Sequence, residues 1–394
     1  MSCSEWYKLE ELLKIKYGKN QKKVQDNENG IYPIYGTGGL MGYSKEYLYD
    51  KPSILIGRKG SISRVKYVEH PFWTVDTLFY TEINENLVIP KYLYYKMSMI
   101  DFNFYNEGTT IPSLRTDTLN KIEFQIHSLE EQKRIVDMLS SLDDKIELNN
   151  EMNKTLEEMA QGIFKRWFVD FEFPNDDGES YKSSGGDMVE SELGMIPKGW
   201  EVKTIADIGD VISGGTPSTK NEEYYGGNIS WITPKDLSGY DRKFISRGER
   251  SITELGLQKS SAKLLPKGTV LFSSRAPIGY VAISNQEVCT NQGFKSIVCN
   301  TEIINNNYVY YFLKLNKENI ENISSGSTFK EISGTYMKNF KIIVPKKDIL
   351  DKFNKLIVSY DELLSKNYDE IDNLTEIRDI LLPKLMSGKI ILNN

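Results

Sequence analysis

Glycine-rich stretches interleaved with Arg, Lys, Ser and Thr recur along this chain, and such stretches suit a polyanion. The first part carries Tyr35-Gly36-Thr37-Gly38-Gly39 and Gly57-Arg58-Lys59-Gly60-Ser61, then Gly108-Thr109-Thr110 with Arg115. The later part carries Ser213-Gly214-Gly215-Thr216-Pro217-Ser218 and Ser274-Arg275, then Gly326-Ser327-Thr328 with Lys330. Glycine lets backbone N–H groups approach a phosphate, hydroxyls add donors, and an arginine can hold guanine bidentately in the major groove. Taken singly, each stretch reads equally well as a turn whose cation makes a surface ion pair. The recurrence favours contact with nucleic acid, and it selects Thr37, Gly38, Gly39, Arg58, Lys59, Ser61, Thr109, Thr110 and Arg115 as the first set. The second set is Gly215, Thr216, Ser218, Arg275, Ser327, Thr328 and Lys330.

Other chemistry lacks its residues. Gly36-Thr37-Gly38-Gly39-Leu40-Met41 has methionine where a dinucleotide loop needs its third glycine, and neither Gly18-Lys19 nor Gly388-Lys389 has the rest of a phosphate loop. Two histidines, His70 and His127, and three cysteines, Cys3, Cys289 and Cys299, offer neither a transition-metal set nor a disulfide framework. No G-x-S-x-G elbow or Asn/Asp-Pro-Pro-aromatic stretch occurs. The expectation is a chain that binds no cofactor or metal and does not catalyse. With no basic-then-apolar opening and no long apolar run, a cytoplasmic location is expected.

The net charge of −6 argues weakly against nucleic acid until it is divided along the chain. Residues 1–127 carry 16 Lys and Arg against 15 Asp and Glu, and residues 200–344 carry 17 against 14. The acidity sits in residues 128–199. Phosphate attraction acts over about a Debye length, ~8 Å at physiological salt, so the local balance is the relevant one.

These loops repeat because the whole unit repeats. Tyr92-Leu93-Tyr94-Tyr95 returns as Tyr308-Val309-Tyr310-Tyr311, Gly108-Thr109-Thr110-Ile111 as Gly326-Ser327-Thr328-Phe329, and Ile122–Ile126 as Phe340–Val344. Ile54-Leu55-Ile56-Gly57-Arg58 matches Val270-Leu271-Phe272-Ser273-Ser274-Arg275 with a one-residue insertion, and Trp6 heads the first unit as Trp200 heads the second. The tyrosines read as core aromatics. Each unit leads into a long helix. One begins at the Ser128-Leu129-Glu130-Glu131 capping box and stops before Pro174, with a seam of Ile135, Leu139, Leu142, Ile146, Leu156, Ala160, Ile163 and Trp167. Asn149 and Asn153 interrupt that seam and could fix its register against a partner. The other starts near Asp348, runs through Leu350, Phe353, Ile357, Leu364, Ile371, Leu381 and Leu385, and ends at Ser387-Gly388, with Pro383 expected to kink its last turn. About forty residues at ~1.5 Å each give rods of ~60 Å. Paired antiparallel, they would act as a spacer between the globular parts.

The expected fold is α+β: two pseudo-repeated globular domains, each followed by a long helix, the helices forming an antiparallel coiled coil. The segments are 1–127, a helix 128–173, an exposed linker 174–199 rich in Gly, Ser, Asp and Pro, then 200–344, and a helix 345–394.

Met159-Ala160-Gln161-Gly162-Ile163-Phe164-Lys165-Arg166-Trp167-Phe168-Val169-Asp170-Phe171-Glu172, followed by Ser191-Glu192-Leu193-Gly194-Met195-Ile196-Pro197-Lys198-Gly199-Trp200, resembles the central conserved region of type I restriction-modification specificity subunits. Leu381-Leu382-Pro383-Lys384-Leu385-Met386-Ser387-Gly388-Lys389-Ile390 is similar to the family's second conserved end. The resemblance covers essentially the whole chain, duplication included. It implies two target recognition domains, each reading half of a gapped double-stranded DNA site, and conserved helices that set the gap. It further implies methyltransferase subunits supplying S-adenosylmethionine and adenine chemistry, and an endonuclease subunit supplying ATP- and Mg-dependent translocation and cleavage. Ile163, Phe164, Trp167, Phe168, Leu381 and Leu385 are then expected to dock the methyltransferase subunits. The rival readings are an adaptor or structural protein joining two small domains by paired helices, and a methyltransferase fused to its reader, which the missing cofactor loop disfavours.

Overall fold

The computed structural model describes residues 4–275, 277–322, 331–390 and 392. They fall into two compact units, residues 1–150 with 369–394, and residues 151–368.

In the first unit, strand Glu5–Lys8 pairs antiparallel with Glu123–Ile126, so the ends of the repeat close on each other. A one-turn helix, Leu9–Leu12, buries Leu9 and Leu12 and turns the chain into a four-stranded sheet. Its order is Leu13–Tyr17, Leu78–Ile83, Ser53–Gly57, Val65–Val68. Ile54, Leu55 and Ile56 are all buried, as the continuous apolar run requires of a strand covered on both faces. The hydroxyl of Ser53 there donates to Thr81 O (2.8 Å), and Thr81 Oγ1 accepts from Ile54 N (2.8 Å). A three-stranded sheet, Gly39–Ser44, Tyr32–Gly36, Trp73–Thr74, adjoins it. Helix Pro90–Ser98 buries Tyr92, Leu93, Tyr95 and Met97, so the repeated tyrosines are core residues.

The second unit repeats this order. Glu201–Thr204 pairs with Lys341–Val344, and the larger sheet runs Gly209–Ser213, Lys295–Cys299, Val270–Phe272, Val281–Ser284, Phe244–Ile245. The last strand has no counterpart in the first unit. The smaller sheet is Arg250–Ile252, Tyr225–Ile232, Cys289–Thr290, and helix Asn306–Leu315 buries Tyr308, Tyr310 and Tyr311.

Residues 174–199 are mostly exposed, as their composition suggests, but they are folded and not a bare linker. They contain the hairpin Met188–Ser191 with Gly194–Pro197, and their flanks are buried in the second unit's core. Phe173 stacks on Tyr181 (4.5 Å between centroids) and on Trp200 (5.0 Å). Flanking aromatics outweigh the polar stretch between them because each buries a large apolar area.

The long helices are Leu129–Phe168 and Lys347–Met386. The first stops five residues earlier than expected: Phe171 adopts φ +60°, and Val169 N and Asp170 N both return to Lys165 O. The second accommodates Pro383 in its last turn, then closes with Gly388 at φ +69°. Gly388 N donates to Leu385 O and Lys389 N to Lys384 O, a Schellman pattern. The helices pair antiparallel in each unit. In the first, Asp143 binds Arg378 (3.0 Å) and Asn149 donates to Glu370 (2.8 Å). In the second, Asn367 donates to Asn153 (2.8 Å), and Phe164, Trp167 and Phe168 meet Phe353.

His127, buried at the end of the first repeat, bonds through Nδ1 with the Tyr92 hydroxyl (2.6 Å). Burial lowers its pKa, and the Lys96 ammonium lowers it further. The unfolded chain therefore binds the proton more readily. Stability should be fully present above the ordinary histidine value, about 6.5, and fall as the pH drops below it. His127→Gln should flatten that acid limb in denaturant titrations at pH 7.5, 6.0 and 5.0. An unchanged limb would assign it to other groups.

Candidate nucleic-acid interface

In the first unit the three loops singled out by sequence converge. Lys59 forms a bridge with Ser113, Gly60 N donates to Pro112 O (2.9 Å), and Leu114 N donates to Arg58 O (3.0 Å). Gly60 also lies beside Thr37: a Cβ there would stand 3.7 Å from Thr37 Oγ1. Thr37, Gly39 and Ser61 line a concavity of about 140 Å³ with Arg64 and Lys66, two cations not in the sequence-derived set. Thr109 and Thr110 are exposed. Two of the cations are engaged. Arg58 Nη1 donates to Asp76 O (3.0 Å) and its guanidinium lies 5.1 Å from the Tyr17 ring centre, while Arg115 pairs with Glu107 (3.2 Å). Among the described residues no acid pairs with Lys59, which is exposed.

The same convergence occurs in the second unit. Ser274 N donates to Gly293 O (2.7 Å), Ile332 N to Ser274 O (2.8 Å), and Arg275 forms a bridge with Glu331. Thr216 Oγ1 bonds Gln292, and Ser218 is exposed. Ser327, Thr328 and Lys330 lie outside the described residues. The matching bonds correct the repeat alignment: Leu114 meets Arg58 as Ile332 meets Ser274, and Lys59 faces Ser113 as Arg275 faces Glu331. Lys59, and not Arg58, is the counterpart of Arg275, and no insertion is needed. Unlike Lys59, Arg275 is paired, its Nε 3.1 Å from Glu331, which it shares with the largely buried Lys295 at 3.7 Å.

Gly215 has a structural reason for being glycine. It is buried, its N–H donates to Thr290 O (2.8 Å), and a Cβ would stand 2.3 Å from Ala262 N. It is therefore not open to a phosphate. Gly214 is as confined: a Cβ on it would stand 2.1 Å from Asn291 O. Gly18-Lys19 occupies the corresponding place in the first unit: a Cβ on Gly18 would meet Val75 O at 2.0 Å, and Lys19 N donates to Thr74 O (2.8 Å). An indole seals each position, Trp73 donating to Lys19 O and Trp231 to Gly215 O, both at 2.9 Å. The two tryptophans sit on opposite members of equivalent parallel pairs, Ile34 with Trp73 and Trp231 with Cys289. The missed cations of this unit are Arg247 and Arg250, which line a concavity of about 390 Å³ with Asn228 and Ser230. Arg250 stacks on Tyr225 (4.1 Å). Their only sequence signal is two arginines three apart in a short polar run.

Among the described residues the two cysteine thiols are poor nucleophiles, since burial pushes Cys289 up to about 11 and Cys299 to about 12.

The apolar residues expected to face a partner subunit are largely consumed within the chain. Phe164 and Phe168 are buried against Tyr308 and Phe353, and Leu385 is buried in the first unit's core. Ile163, Trp167 and Leu381 are half-buried against the same cores. A seam at heptad spacing does not say which helix it meets. What stays open in the second unit is a groove of about 950 Å³ with Phe164 and Phe168 in its lining and the exposed Leu193, Met195 and Leu315 beside them.

Comparison with known proteins agrees with this duplicated architecture. A profile described as the type I restriction modification DNA specificity domain matches residues 1–158 and again residues 197–377. The chain belongs to that family. Among its relatives, the type I restriction enzyme MjaIX specificity subunit of Methanocaldococcus jannaschii is 44% identical over 190 residues, which are 48% of this chain and 44% of that protein. The chain thus aligns with less than half of that relative. The HindI specificity subunit of Haemophilus influenzae is 29% identical over 378 residues, with 81% of each chain covered. A crystal structure of the type I restriction-modification system S subunit from M. genitalium shares the fold at a TM-score of 0.62 and 17% identity, covering all of this chain and 97% of that one.

The glycines separate fold from contact. Gly215→Ala should lower the thermal midpoint of the second unit by several degrees, since a Cβ must displace backbone. Gly38→Ala should leave stability unchanged, because nothing lies within 4 Å of that position. Loss of DNA affinity by a fully stable Gly38→Ala chain would place the ligand's backbone there.

Proposed function

We propose that this chain is the DNA-reading subunit of a type I restriction-modification complex and is itself non-catalytic. Each repeat reads one half of a gapped, asymmetric site through its converged loops, and partner subunits methylate adenine or cleave. The observation that carries this is the double match of a DNA specificity domain, once per structural repeat, onto two units that each gather basic and hydroxyl side chains from separate loops. S-adenosylmethionine, ATP and Mg then belong to the partners, and the system works in the cytoplasm. No described helix is long and apolar enough to cross a membrane.

The forty-residue helices supply the spacer of this reading, and the groove beside Leu193, Met195 and Leu315 supplies an apolar seat for a methyltransferase subunit. Leu193→Asp with Met195→Asp should abolish co-purification with that subunit without loss of thermal stability, because both side chains are exposed. Undiminished co-purification would place the seat elsewhere.

The reading as a whole is tested by the methylome of a naive bacterial host. Expression of the chain with its neighbouring methyltransferase subunit should produce methyladenine at a gapped two-part sequence, and the methyltransferase subunit alone should not. A stable complex that adds no methylation would favour the adaptor reading.

A further inference from the structure

The second unit holds a buried ion pair that joins a recognition loop to a long helix. Between strands Tyr225–Ile232 and Arg250–Ile252 the chain makes an excursion through residues 233–249. Its near end is knit to the candidate interface: Gly293 packs against Pro234, Asp236 accepts from Thr233 N and Glu249 N, and Asn291 N donates to Ile232 O. Its far end carries Lys243, whose side chain is fully buried. Nζ lies 2.5 Å from Asp361 Oδ1 on the second long helix and 3.4 Å from the Tyr311 hydroxyl. The Tyr310 and Tyr311 rings flank the ammonium, and the Tyr368 hydroxyl accepts from Lys243 N (3.4 Å).

Withdrawing both charges from water is unfavourable, and apolar side chains of similar volume would pack the site as well. Burial lowers the Lys243 pKa and raises that of Asp361, while each partner opposes the other's shift. The charge cluster extends to Glu157 and Lys314, paired at 3.3 Å.

The first unit uses the equivalent acid differently. Asp143 stands 218 residues before Asp361 and accepts from the Tyr95 hydroxyl (2.5 Å). Its cation, however, is Arg378 of the other long helix (3.0 Å). There the connection between Tyr32–Gly36 and Gly39–Ser44 is only Thr37 and Gly38, and no described side chain of that turn pairs with Asp143.

We propose that Lys243 is a positioning residue for reading the second half-site: its bond to Asp361 ties the 233–249 excursion to the long helix and so fixes the Pro234–Asp236 turn at the interface. This rests on the DNA-reading role above. The anchor serves one half only, since the first unit has no such excursion.

The test uses the intact complex with its methyltransferase partner. Lys243→Met combined with Asp361→Leu removes both charges and leaves no orphaned ion. Methylomes should show discrimination relaxed by about tenfold or more at one or more bases of a single half-site. The control pair Asp143→Leu with Arg378→Met should leave both halves unchanged. Hydrogen exchange on the doubly substituted Lys243→Met, Asp361→Leu complex should show faster exchange across 233–249, with protection kept in Val270–Phe272 and Val281–Ser284. Unchanged reading of both halves, or protection lost throughout the second unit, would overturn the proposal, the latter because the pair would then be part of the general core. A wild-type complex that produces no gapped methylation would instead count against the underlying reading.

Discussion

The antiparallel pairing of the two long helices within each unit carries buried amide side chains that need partners. Asn153 finds Asn367, and Asn149 finds Glu370. A one-turn slip of either helix would strand those amides in an apolar seam, at a cost of about 1–3 kcal/mol for each unsatisfied group. Asn149 Oδ1 and Asn153 Nδ2 are left without a partner, so the amides stabilise less than leucines would, and what they favour is this register over a slipped one. Within each unit the repeat closes its own terminal strands and packs its tyrosine helix on the paired helices.

Periodicity and duplication made most of this legible. The heptad spacing, the Ser128 start and the Gly388 stop located both helices to within a few residues, since caps and seams are local properties of the chain. The repeated tyrosines were identified as core for the same reason. The exposure of 174–199 was legible from its composition, but its hairpin was not, because the aromatics that fold the segment, Phe173 and Trp200, lie at or beyond its borders. Nor could sequence say which partner a seam meets, so Phe164, Phe168 and Leu385 looked available for another subunit when they are buried within this one.

The candidate interface was half legible. Glycine-rich loops marked where the chain turns, and those turns do converge. The same letters conceal two roles, however. Gly38 has open space around it, whereas a Cβ on Gly215 would run into the backbone of Ser261 and Ala262. Charge was similarly ambiguous: Lys59 is unpaired among the described residues, yet its counterpart Arg275 is held by an acid 56 residues away in sequence. Arg64, Lys66, Arg247 and Arg250 gave no motif, because a cation on a short strand or loop has no periodic signature.

The central claim is that each repeat reads its own half of the DNA site through equivalent positions. Methylomes of Lys59→Ala and Arg275→Ala complexes, compared side by side, test it most directly. The account predicts relaxed base preference in opposite halves of the gapped site, one half for each substitution. Relaxation in the same half, or a uniform loss of methylation without any change in the preferred bases, would contradict it.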